Sequence, residues 1–150
     1  MAISKTVSVS AKSVENFLIE LNAGKHTLFI DQPETVGGKD AAPTPLHYFF
    51  FALGGCVITI AKIIAKQRQI EIRDMSVTVE GGLNTAVLMG KTTEDRAGFQ
   101  DIVVKVNLDA DMSDEEKMAF LAEVDARCPI SDNTINTTPV RFELAEMEAA

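Results

Sequence analysis

The stretch from Pro45 to Ala61 constrains the fold more than any other part of the chain. It is almost uninterrupted in apolar residues, with Phe49, Phe50, Phe51, Val57, Ile58 and Ile60 among them. A helix drawn through it is apolar on nearly every face, so it must be covered on nearly every side. Either a strongly curved sheet wraps it or a second copy of the chain does, and a homodimer is the expectation. A membrane span would be another solution. However, Tyr48 to Ala61 falls short of the roughly 20 residues a span requires and is bounded by His47 and Lys62. The expectation is a buried core helix with no membrane partner.

The flanking segments place this helix in an α+β order. Pro43 and Pro45 favour an extended approach and a first helical turn, which sets the start near Thr44 and the end near Gln69. Before it, Thr6–Ser10, Phe17–Leu21 and His26–Ile30 alternate as strands, with a turn at Asn22–Lys25, and read as an antiparallel meander. Asp31–Pro45 is a long loop rich in Pro and Gly, and loops of that length are often functional. After the helix, Ile72–Glu80 and Ile102–Leu108 read as strands joined by a long connection over 83–99. Ser113 and Glu116 form a capping box opening an amphipathic helix, with Met118, Leu121 and Val124 on one face and Cys128 at its end. Pro139–Leu144 reads as a last strand. The order βββ-α-ββ-α-β fits one domain over residues 1–150, long enough for a real core.

Charge narrows the partners. A net charge of −8 argues against nucleic acid and anionic membrane. Lys62, Lys66, Arg68 and Arg73 are spaced as a solvated helix end that complements the helix dipole. Residues 1–5 lack the apolar stretch of a secretory signal, so a cytoplasmic location is expected.

The chain has two cysteines. In a reducing compartment a persistent pair tends to be transient and catalytic, whereas two small buried hydrophobes are the plainer alternative. Cys56, directly after Gly54-Gly55, sits where a backbone or a ligand could approach closely. The glycine pair is equally explained by another element packing against the helix, since each costs about 1 kcal/mol there relative to Ala.

A reactive thiol needs a cation, a helix N-terminus or a hydrogen-bond donor. Cys56 lies too deep in its helix for the dipole at the N-terminus. His47, two and a half turns earlier, faces the opposite side about 13 Å away along the axis. It could reach only the Cys56 of another chain, or serve as a structural histidine. His26 reads as an exposed strand residue. Cys56, Cys128, His26 and His47 lack the spacing of a zinc site, so no metal is expected. No phosphate loop, dinucleotide fingerprint or serine-nucleophile elbow is present.

Pro43-x-Pro45-Leu46, Leu53-Gly54-Gly55-Cys56, a helix ending at Ile70 before a Val-x-Val strand, and Cys128-Pro129-Ile130-Ser131 together resemble the OsmC/Ohr family. These are osmotically inducible and organic hydroperoxide resistance proteins. The loop Asp31-Gln32-Pro33-Glu34 with Gly37-Gly38 is similar to the one preceding the family's central helix. The resemblance covers nearly the whole chain. It implies an OsmC-like fold, an antiparallel sheet wrapped around a long central apolar helix, in an intertwined homodimer with six strands from each chain.

The resemblance also implies a thiol-dependent hydroperoxide reductase, an antioxidant peroxidase without a cofactor. Cys56 would be the peroxidatic thiol and Cys128 the resolving one, restored by an external dithiol. Peroxidase members hold the thiolate with an N-terminal Arg oriented by a Glu near the helix start. This chain has no arginine before Arg68, and Leu46 and His47 follow Pro45. A cationic substitute would be Lys39, Lys25 or, across the dimer, His47, and lysine lacks the guanidinium fork. The departures leave two alternatives open. One is a non-catalytic small-molecule-binding protein with an apolar pocket at the dimer interface lined by Phe49 and Phe50. The other is different thiol chemistry, on disulfides or sulfane sulfur.

Overall fold

Alternation at the N-terminus becomes a three-stranded sheet only where strands find partners. A computed structural model describes residues 2–146, in two compact units divided between Ala52 and Leu53. In the first unit β1 (Ser10–Glu15), β2 (Leu18–Ala23) and β3 (His26–Ile30) pair antiparallel in the order β1-β2-β3. Gly24 makes the β2–β3 turn with φ 59°, and Asn16 adopts φ 53° between β1 and β2, a conformation open chiefly to Gly and Asn. The strand expected over Thr6–Ser10 starts only at Ser10. Val7 and Val9 are exposed, because alternation makes a strand only where a neighbour accepts its hydrogen bonds.

Asp31 organises the following loop. Its side chain is buried, and its carboxylate accepts N–H bonds from Gln32 (2.8 Å), Ala41 (3.0 Å) and Lys39 (3.1 Å). A single 3-10 turn spans Glu34–Val36. Gly37 leaves it with φ 96°, and a Cβ on Gly38 would stand 1.9 Å from the Gln32 carbonyl oxygen. Both glycines are therefore required by backbone geometry. Thr44 and His47 then cap the first turn of α1 (Pro45–Arg68). Thr44 N–H donates to His47 Nδ1 (3.1 Å), and His47 N–H donates to Thr44 Oγ1 (3.4 Å), a reciprocal arrangement like a capping box. The Tyr48 hydroxyl donates to the Phe29 carbonyl at 2.7 Å.

In the second unit β4 (Ile72–Leu83) and β5 (Phe99–Ala110) form an antiparallel pair, with Val77 opposite Val106 and Val79 opposite Val104. Their connection contains a short helix α2 (Thr85–Leu88), capped by the Asn84 side chain. The predicted capping box is formed: the Ser113 and Glu116 side chains exchange bonds with each other's backbone N–H at the start of α3 (Asp114–Arg127). A further helix, α4 (Pro129–Ile135), follows at once.

The core gathers Leu53, Val57, Ala61, Ile64 and Ala65 of α1 against Phe120 and Val124 of α3, with the valines of β4 and β5 packed around them. That spacing is one stripe of a helix. The expectation that α1 is buried on nearly every side is therefore corrected for the single chain. Phe51 is 61% exposed, and Leu46, Phe49 and Ile63 are also exposed. A two-stranded sheet and one helix cover a stripe, not a cylinder. Among the described residues α1 is also the one helix long and apolar enough to cross a membrane.

Two further expectations change. The face predicted on α3 is displaced, since Val124 is buried but Met118 is 67% exposed, and Phe120 takes the inner position. Residues 139–144 do not form a strand. Val140, Phe142 and Leu144 keep a strand's alternation yet are largely exposed, so among the described residues nothing supplies the face they would cover. The architecture is α+β with antiparallel sheets, as predicted.

Candidate functional site

Two local structures bring the thiols together. Cys56 projects from α1 between the core residues Leu53 and Val57. Cys128 occupies the elbow between α3 and α4, where it serves as C-cap of the first and N-cap of the second. Its N–H donates to the Asp125 carbonyl (3.2 Å), and its own carbonyl accepts from Asp132 N–H (3.0 Å). Pro129 follows at the first helical position, which suits proline's fixed φ and missing donor. The sulfurs of Cys56 and Cys128 lie 2.9 Å apart, hydrogen-bonded as free thiols.

Their surroundings differ. Cys128 is 1% exposed and Cys56 is partly exposed. Ser131 N–H donates to Cys128 Sγ at 3.4 Å, and the Ser131 hydroxyl is bonded to the Asp125 carboxylate. Asp125 thus braces the elbow from both its carbonyl and its side chain. Burial pushes the Cys56 thiol above its ordinary range, the adjoining Cys128 adds to that, and a backbone N–H bond from Ile130 works in the opposite direction. None of these groups is a cation, so within the single chain Cys56 is not activated as a thiolate.

The other candidates lie in the first unit, where His47 and Lys39 have partners of their own. His47 is held by Thr44 in the helix cap. Lys39 Nζ pairs with Glu15 at 2.9 Å, which keeps its ammonium charged by raising its pKa. His26 begins β3 and is exposed. The glycine pair before Cys56 is not forced by crowding within the chain. A Cβ on Gly54 would make ordinary contact with Val79 and Val77, and one on Gly55 would meet open space. Among the described residues, no three His, Cys, Asp or Glu side chains gather as a metal site.

Beside the elbow an apolar groove of about 510 Å³ runs between Leu53, Val57, Val104 and Leu121, with Asp125 and Ser131 as its polar members. It does not involve Phe49 or Phe50, the residues expected to line a pocket. Sequence reasoning missed α4 and the bracing by Asp125 and Ser131. The signal is present in Cys128-Pro129, a small capping residue followed by proline at the first helical position.

The sequence matches the family model described as OsmC-like protein over residues 37–145. No protein of curated function matches it. Among solved structures it is similar to an OsmC-like protein from Mycoplasma pneumoniae, with a TM-score of 0.78 and 19% identity over 90% of this chain and 91% of that one. It is also similar to an organic hydroperoxide resistance protein OsmC from Legionella pneumophila (TM-score 0.67, 23% identity, 91% and 93% covered). A third is an organic hydroperoxide resistance protein from Elizabethkingia anophelis (TM-score 0.69, 19% identity, 91% and 93% covered).

Proposed function

Since the chain belongs to the OsmC-like protein family, we propose that it is a thiol-dependent reductase of organic hydroperoxides, with Cys56 and Cys128 as its redox pair. The observation that carries this reading is the 2.9 Å separation of the two sulfurs. In this scheme the Cys56 thiolate attacks the distal peroxide oxygen. The O–O bond breaks, the alkoxide leaves and takes a proton as alcohol, and Cys56 becomes a sulfenic acid. The Cys128 thiolate then attacks Cys56 Sγ, the S–O bond breaks, and hydroxide leaves as water. An external dithiol reduces the resulting disulfide by two electrons, in keeping with a reducing cytoplasmic setting.

A thiolate at Cys56 also needs an activating cation. Cys56 is raised rather than lowered in the single chain, and α1 keeps much of its apolar surface uncovered. A homodimer answers both needs, with the partner copy supplying Lys39 or His47 near the thiol. The test is single-turnover consumption of cumene hydroperoxide by the reduced protein, compared with Cys56→Ser. Stoichiometric consumption that disappears in the variant is expected, and equal consumption by both proteins would refute it.

A second reading, a small-molecule-binding protein without turnover, is favoured by the apolar groove of about 510 Å³ and by the raised Cys56 pKa. Binding of an apolar ligand by a protein whose thiols ignore hydroperoxide would select it.

A further inference from the structure

The two sulfurs are unequal in a way that bears on how their disulfide would be opened. Cys128 is 1% exposed and enclosed by the α3–α4 elbow, whereas Cys56 is partly exposed on the flank of α1. An incoming thiolate must reach the sulfur it attacks, and of the two residues only Cys56 has appreciable exposed surface. The leaving sulfur departs as a thiolate, and the better stabilised that anion is, the faster it leaves. Cys128 Sγ accepts the Ser131 N–H at 3.4 Å, a bond that strengthens as the sulfur gains charge. Access therefore points to Cys56 as the sulfur attacked, and the Ser131 N–H gives Cys128 a donor as it leaves.

Ser131 is well placed to keep this asymmetry. It is itself buried, and its hydroxyl is tied to the Asp125 carboxylate. Asp125 in turn accepts the Cys128 N–H through its carbonyl. The hydroxyl bond thus holds the first turn of α4 at the angle that aims the Ser131 N–H at sulfur.

We propose that an external thiolate opens the Cys56–Cys128 disulfide by attacking Cys56, and that Ser131 is the positioning residue that makes Cys128 the leaving sulfur. The step balances. A bond forms between the incoming sulfur and Cys56 Sγ, the Cys56–Cys128 bond breaks, and its electron pair goes to Cys128 Sγ, which later takes a proton. A second thiol then displaces Cys56, so two thiols are oxidised to one disulfide as the protein disulfide is reduced. The inference rests on the proposed redox pair, but not on hydroperoxide as its oxidant.

The test uses the full chain oxidised with diamide, a thiol oxidant that is not a peroxide. The protein is mixed briefly with glutathione, quenched in acid, alkylated and mapped by peptide mass spectrometry. Glutathione on Cys56 and alkyl label on Cys128 should exceed the reverse pattern by on the order of tenfold. In Ser131→Ala the opening rate and this preference should both fall several-fold, and Ser131→Thr should restore them, whereas a purely structural role would change only the melting temperature. A disulfide whose adduct falls on Cys128 would overturn the inference while leaving the redox pair intact. An unchanged rate and preference in Ser131→Ala would overturn the role of Ser131. Failure of diamide to form any disulfide would overturn the pair and the inference together.

Discussion

Cys56 Sγ and Cys128 Sγ stand 2.9 Å apart, one on the flank of a long core helix, the other fixed in the elbow between α3 and α4. Beyond the thiol contact itself, Cys128 is fixed by hydrogen bonds with Asp125, Ser131 and Asp132 of the elbow.

The first prediction separates the two thiols. With Cys128→Ser, hydroperoxide should still oxidise Cys56, but the sulfenic acid has no thiol partner and persists. Dimedone, a nucleophile selective for sulfenic acids, should label Cys56 in that variant and little in the wild type. Multiple turnover with a dithiol should fall on the order of tenfold or more. Equal labelling of both proteins would remove Cys128 from the resolving role.

The second concerns pH. Burial, with Cys128 beside it, raises the Cys56 thiol in the single chain, so its neutral form is favoured by folding. That contribution to stability is fully present below the ordinary thiol range and is lost as pH rises through the higher folded value. In the isolated chain, alkylation of Cys56 by iodoacetamide should accelerate with pH to beyond the ordinary thiol range, whereas the proposed homodimer should bring the profile below it. In Cys128→Ala the profile should move to lower pH, because one raising neighbour is gone. A profile centred well below the ordinary range in the wild type would mean that a cation from a second copy reaches the sulfur.

The third tests the core. Phe120 and Ile64 are buried in the cluster that carries Cys56. Phe120→Ala should cost about 3–5 kcal/mol and Ile64→Ala about 2–5 kcal/mol. Met118→Ala, at a position 67% exposed, should stay within about 0.5 kcal/mol. Urea denaturation measures all three, and a large loss at Met118 would mean that another chain covers this face.

The fourth concerns the loop before α1. The N–H bonds from Ala41 and Gln32, together with that from Lys39, hold the Asp31 carboxyl below its usual range. Its stabilisation is therefore present above the unfolded carboxylate value and is lost as pH falls through the lower folded one. Asp31→Asn should melt below the wild type at neutral pH, with the gap closing in strong acid. Gly38→Ala should also disrupt the loop, since its Cβ would collide with the Gln32 carbonyl.

Where the signal was local, the sequence was readable. Pro45 and the apolar run placed α1 within a residue of its observed start, and Ser113 with Glu116 placed the start of α3. The thiol pair was legible as two motifs, but their approach depends on the α3–α4 elbow, which no periodicity announces. The N-terminal and C-terminal alternations at Val7, Val9, Val140, Phe142 and Leu144 have the pattern of strands and are exposed coil in the single chain. Alternation records that a face is meant to be covered, not what covers it. The same holds for α1, whose all-round hydrophobicity exceeds what one chain buries.

The most direct measurement is to treat the reduced protein with an organic hydroperoxide and follow intact mass and free thiols together. Loss of both thiols from one monomer is expected, with a mass lower by two hydrogens and a peptide cross-link between Cys56 and Cys128. Two thiols that remain free at excess hydroperoxide, with the protein folded, would contradict it.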